Sequence, residues 1–186
     1  MSQTKQRRTA QRTPLNPMQA ILHPVRMRIV IALNDEPMTA RQLAREMQDV
    51  PLATVYRHVN VLAAAGVIRI VDEHRVHGTL ERRFALVAGA SYVRPNEVTP
   101  NEIVGLVGAL TSAVQSNFQQ YACNASFPPQ EGEIAAMASS LYLTDEEYES
   151  VRNSIRELIG KTGRTAGPDR HRRFLAYFSV PIIEPE

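Results

Sequence analysis

Between Pro51 and Ile70 the chain reads PLATVYRHVNVLAAAGVIRI, with apolar residues first at helical and then at alternating spacing. Val55, Val59 and Leu62 recur on one side of a 3.6-residue period with Gly66 in line at the stop, which predicts a helix with one buried face. The other side carries Ala53, Thr54, Arg57, Asn60 and Val61, flanked by Tyr56 and His58. These are small and hydrogen-bonding groups of a kind that can enter a DNA groove.

The preceding pattern predicts three more helical pieces. Met18, Ile21 and Leu22 start one after Pro17, and His23-Pro24 breaks it, because proline suits the first turn of a new helix. That second piece runs to about Asn34, with Met27, Val30, Ile31 and Leu33 mostly inward and Arg26 and Arg28 more exposed. Asp35-Glu36-Pro37 ends it. Thr39 is the expected N-cap of a helix from Ala40 to Met47 with Leu43, Ala44 and Met47 buried. The short link Gln48-Asp49-Val50-Pro51 then joins two helices in the manner of a helix-turn-helix. Past Gly66 the period becomes extended. Val67 to Val71 and Leu80 to Leu86 predict a hairpin, with Asp72 to Thr79 as a connecting wing that brings Arg75, His77, Arg82 and Arg83 toward a DNA backbone or minor groove.

The second half begins after AGASYVRPNEV, read as a linker. Thr99-Pro100-Asn101-Glu102 is a capping box with proline at the first helical position, and the helix it starts is expected to reach about Cys123. Its large residues, Ile103, Leu106, Val107, Leu110, Val114, Phe118 and Tyr121, share one side, facing a core or a partner chain. Gly105, Ala109, Ser112 and Ser116 line the other with Gly108 beside them; this stripe suits either a ligand wall or tight helix packing. Thr144 to Glu147 is a second capping box, with Leu143 and Tyr148 as a hydrophobic staple and Tyr148, Val151, Ile155, Leu158 and Ile159 inward. Strands are expected to end at Leu141–Leu143 and to run from Phe174 to Ile183. The predicted organisation is a basic disordered arm (1–16), a winged helix-turn-helix domain (17–88), a linker (89–98) and an α+β dimerisation or effector domain (99–186). The whole is mainly α with small β elements.

Charge is distributed unevenly. The chain up to Ala90 has 13 Lys and Arg against 7 Asp and Glu, and the remainder has 8 against 12. A basic N-terminal half suits a polyanion, whose condensed counterions are released on binding. The composition, 44% hydrophobic and 22% charged, contains no apolar run of the length a membrane span needs. One cysteine, Cys123, rules out an intrachain disulfide and is consistent with the cytoplasm.

HPVRMRIVIAL, TARQLAREM, TVYRHVNVLAAAGVI and HGTLERRFAL together resemble the ArsR-like winged-helix regulators over about residues 18 to 87. The SLYLTDEE segment is similar, less specifically, to a branch of that family with an extended C-terminal domain. The resemblance implies a homodimeric transcription regulator, in the sense of a repressor, that binds double-stranded DNA. It also implies groove or phosphate roles for Thr54, Tyr56, Arg57 and His58 and wing contacts for Arg75 and His77. The founding metal sensors carry a Cys-x-Cys pair near the helix-turn-helix; here no cysteine precedes Cys123, so that role does not transfer.

No metal or other cofactor is expected. His74 and His77 lack a third ligand, and no nucleophile–base pair, paired acids or phosphate-cradling loop suggests an enzyme. Asp145, Glu146, Glu147 and Glu149 are accounted for by their place at a helix N-terminus. A small-molecule effector would act from the second domain. The rival class is a winged helix that binds protein rather than DNA, since fold does not fix function.

Overall fold

A computed structural model describes residues 15–76, 79–88, 98–124, 134–161, 168 and 170–183. Two compact units divide the chain, one ending at Gln115 and the other beginning at Ser116.

The first unit opens with α1 (Pro17–Ile21) and α2 (Pro24–Leu33). Asn16 caps α1 by accepting from the Gln19 N–H at 2.7 Å, and the Nδ1 of His23 caps α2 by accepting from the Val25 N–H at 3.2 Å. The break expected at His23-Pro24 is there, and the imidazole is part of what makes it. A two-residue strand β1 (Met38–Thr39) leads into α3 (Ala40–Glu46), then α4 (Leu52–Ala64), β2 (Ile68–Val76) and β3 (Thr79–Leu86). Thr39 and Gln42 form a reciprocal capping box on α3, at 3.2 and 2.8 Å. It satisfies N–H groups at the first turn that would otherwise be orphaned.

The end of α4 follows from one residue. Gly66 adopts φ +72°, its N–H donates to the Ala63 carbonyl at 3.1 Å, and the Val67 N–H donates to the Leu62 carbonyl at 3.0 Å. This is a Schellman ending, with the two residues that close it, Leu62 and Val67, both fully buried. The chain thus leaves α4 directly into β2.

The sheet has the order β1-β3-β2, antiparallel throughout. Ile68 pairs with Leu86 and Ile70 with Phe84; a bulge between Ile70 and Asp72 then shifts the register, so that Asp72 faces Arg83 and Glu73 faces Arg82. The strands therefore continue well into the stretch expected as a loop from Asp72 to Thr79. The sequence reading had no signal for β1, which is too short to show a period. Ile29, Leu43, Val55, Val59, Leu62 and Val67 are the largest fully buried side chains, and the core lies between α2, α3, α4 and the sheet.

The helix α5 (Pro100–Asn124) starts at the expected box, where the Thr99 N–H donates to Glu102 Oε2 at 2.9 Å and the Glu102 N–H to Thr99 Oγ1 at 3.3 Å. Its early turns belong to the first unit: Ala109 and Ala113 are buried in the same core, with Leu106 and Leu110 packed against it. Of the expected linker (89–98), residues 89–97 lie outside the described residues; the division into units lies within α5.

In the second unit α6 (Asp145–Lys161) begins at its expected box, with the Thr144 N–H to Glu147 Oε2 at 2.8 Å and the Glu147 N–H to Thr144 Oγ1 at 3.2 Å. The α+β expectation for this half is corrected. Leu141–Leu143 and Phe174–Ile183 form no strand, and an isolated bridge at Arg170 is the only β feature among the described residues of this unit. An alternating apolar pattern says which face a strand would bury, but a strand also needs a neighbour to complete its ladder.

Candidate nucleic-acid interface

The turn between α3 and α4 sets the angle at which α4 is presented. Both guanidinium Nη atoms of Arg28 on α2 grip Asp49 in that turn, at 2.7 and 2.6 Å, and hold its carboxyl below the usual carboxylate range. Arg28, expected to be exposed, has a side chain only 10% accessible, because the bidentate pair folds it back on the protein.

On α4 itself Val55, Val59 and Leu62 point inward with no exposure. Tyr56, Arg57 and Asn60 are exposed and Thr54 is half-buried, so these four stand on the outward side as expected. His58 does not. It is 5% exposed, packs its ring against His23 at 4.4 Å between centroids, and leaves Nδ1 with no hydrogen-bond partner. Burial, together with the positive surroundings of His23, Arg26 and Arg57, lowers its pKa to about 4. It is therefore a neutral packing residue beneath α4, removed from the groove-facing set. His23 is lowered by the same causes, burial first and then Arg26 and Arg57. Arg26 is tied to the end of α1 through the carbonyls of Ala20 and Gln19.

Pro51 stands at the N-cap of α4 and supplies no side-chain cap. The Thr54 N–H donates back to the Pro51 carbonyl at 2.8 Å, so the amides of Leu52 and Ala53, which no side chain caps, are the ones that can meet an external acceptor such as a phosphate oxygen.

The wing residues divide. Arg75 is exposed and sits opposite Leu80. Arg82 is bound to Glu73 across the hairpin at 2.7 Å, and Arg83 is half-buried and donates to the Pro37 carbonyl at 2.9 Å. These two hold the wing and its junction with β1 together, and neither is a free cation for DNA. His77 lies outside the described residues. His74 stands 3.4 Å from Glu81 and 3.7 Å from Asp72. Among the described residues no group of three or more His, Cys, Asp or Glu could hold a metal ion.

The small-residue stripe of α5 divides as well. A side chain at Gly105 would meet Leu22 at 3.5 Å, and Ala109 is 1% exposed, so packing closes the expected ligand wall at these two positions. Gly108 faces open space, and Ser112 and Ser116 are half-buried.

Sequence reasoning missed His23 and Asp49. The signal for the first was a histidine at the residue before Pro24, where a side-chain acceptor can cap; the second was an acid in the turn between α3 and α4 with an arginine on α2 to pair with it.

A three-helix core whose last helix is amphipathic, followed by a two-stranded antiparallel wing, is a winged helix-turn-helix. The family model described as a helix-turn-helix domain matches residues 21–71, from the end of α1 into β2. The match identifies a helix-turn-helix domain of the kind found in DNA-binding regulators. No curated protein matches the chain. No described helix is long and apolar enough to cross a membrane.

Proposed function

We propose that the protein is a homodimeric, cytoplasmic, sequence-specific transcription regulator of the ArsR-like type, a repressor, that inserts α4 into the major groove. The reading rests on one observation above all: α4 buries Val55, Val59 and Leu62 completely while Tyr56, Arg57 and Asn60 stand outward beside Thr54. An inward face that complete fixes the helix, and the opposite face is polar and basic. A surface for a protein partner would be expected to be apolar or acidic here, which disfavours the rival class.

Arg57 reads a base edge, Thr54, Tyr56 and Asn60 contact bases or phosphates, and Arg75 follows the backbone. Two copies reading half-sites roughly 34–36 Å apart require a near-palindromic operator. A small-molecule effector acts from beyond the helix-turn-helix, with no contribution from Gly105 or Ala109, which packing occupies.

The test is fluorescence anisotropy on operator fragments selected from genomic DNA by the purified protein. Arg57→Ala should weaken specific binding by about 1–3 kcal/mol and relax preference at one base pair. An equal loss on every sequence would move Arg57 to a phosphate role, and weak, salt-insensitive retention of the wild type would favour the protein-interaction class.

A further inference from the structure

The second unit has an apolar surface that its own fold leaves uncovered. Among the described residues from Ile134 to Ile183 none is buried. On α6, Val151, Ile159 and Leu158 are 37%, 43% and 70% exposed. A stretch whose described residues bury nothing gains little from them to offset the entropy of ordering its backbone. Something must therefore complete its core, and α6 itself indicates what.

Tyr148, Val151, Ile155 and Leu158 are spaced three, four and three apart, a seam at the a and d positions of two heptads. Charge along the helix is polar in the other sense of the word. Asp145, Glu146, Glu147 and Glu149 occupy the first turns, and Arg152, Arg156 and Lys161 the later ones, with Glu157 the one acid among them. A parallel copy would place acid beside acid; an antiparallel copy places acid beside base. On the flank formed by Arg152, Arg156 and Ile159, Tyr177 of the same chain already lines a groove of about 450 Å³, which Ile155 borders from the edge of the seam. That leaves the opposite flank, with Glu147, Ser154 and Lys161, for a partner.

We infer that α6 pairs antiparallel with α6 of a second copy of this chain. Tyr148 then packs against the partner's Leu158, and Val151 against the partner's Ile155. Glu147 and the partner's Lys161 approach at each end of the seam, and the two Ser154 residues meet at the two-fold axis. Glu147 keeps one carboxylate oxygen on Thr144 and offers the other across the interface. Lys161, 74% exposed, reaches outward from its own pairing with Glu157. This arrangement is isologous, as a closed dimer requires. It rests on the dimer proposed above and assigns a surface to it.

Sedimentation equilibrium on the full chain tests the pairing. Leu158→Asp should raise the dimer dissociation constant about a hundredfold, since two buried leucines are lost per dimer. Lys161→Glu and Glu147→Lys should each raise it about tenfold, each variant turning two symmetric attractions into repulsions. An equimolar mixture of those two variants should recover wild-type affinity, because the heterodimer restores both pairs; loss of the Glu147 cap cannot produce that recovery. A wild-type dimer insensitive to Leu158→Asp overturns the α6 assignment and leaves dimerisation to another surface. A mixture that fails to recover overturns the antiparallel sense, and a monomeric wild type removes both the pairing and the dimer.

Discussion

His58 converts pH into stability of the helix that presents the outward face of α4. Its ring is 5% exposed, stacked on His23, and near Arg26 and Arg57, so that protonation in place is opposed by burial and by positive charge together. Above pH 6.5 the imidazole is neutral in both folded and unfolded chains and contributes no penalty. As pH falls below that value the unfolded chain takes up a proton, whereas the folded chain does not until pH approaches about 4. Stability is thus fully present above the unfolded pKa and is lost on the way down to the folded one. With about 1.4 kcal/mol per pKa unit, the shift corresponds to a loss of about 2 kcal/mol between about pH 8 and pH 5, and about 3 kcal/mol below the folded pKa, where both chains are protonated. His23 is shifted in the same direction and adds to the loss. Urea unfolding followed by circular dichroism at a series of pH values measures it. His58→Phe keeps a ring against His23 without a titrating nitrogen, and should remove most of the pH dependence in this window whatever it does to stability at pH 8. Carboxylates and His23 are common to both proteins, so the difference between the two isolates His58. If wild type and His58→Phe lose stability in parallel from pH 8 to pH 5, the account of His58 as a neutral buried base is wrong.

Two further perturbations test how α4 is held. Gly66→Ala meets no atom within 4 Å but retains φ +72°, so the cost is backbone strain alone, about 1 kcal/mol, and a thermal melt of the variant should show it with no change in quaternary state. Asp49→Ala removes the fork from Arg28 to the α3–α4 turn; because Asp49 is half exposed, unfolding free energy should fall by only about 1 kcal/mol, while DNA affinity falls further if the fork sets the angle of α4. The depressed Asp49 pKa makes that contribution fade as pH drops through and below the ordinary carboxylate range, a window separate from that of His58.

The helices of the first unit were legible because several signals agreed at each one. Pro17 and Pro24 open helices, Thr39 caps α3, and Val55, Val59, Leu62 and Gly66 share one line. The same held for the starts of α5 and α6, whose boxes depend only on residues three apart. His58 was misplaced because it lies at the edge of the apolar face, where a wheel cannot say whether a polar ring turns in or out. The deciding partner, His23, sits 35 residues earlier in a helix cap. The strands expected at Leu141–Leu143 and Phe174–Ile183 failed for the complementary reason: their pattern was local, but pairing is not. In α5 the stripe of small residues was visible, and only Leu22 showed that protein rather than ligand fills it at Gly105.

The wing shows most clearly what a count of arginines omits. Arg69, Arg75, Arg82 and Arg83 make the hairpin read as basic, yet its register sets Glu73 against Arg82, Asp72 against Arg83 and Glu81 against His74. A bulge of one residue after Ile70 fixes those partners, since without it every later side chain on β2 would meet a different neighbour. Arg82 is thereby committed to Glu73 and Arg83 to the carbonyl of Pro37. A cation already held in an ion pair must surrender that partner before it can neutralise a phosphate, so it contributes less to counterion release than an unpaired one. The burden of DNA affinity under the proposed function therefore shifts from the strands of the wing to Arg57, to Arg75 and to the uncapped first turn of α4. On that footing the specificity of the interface and much of its affinity come from the same helix.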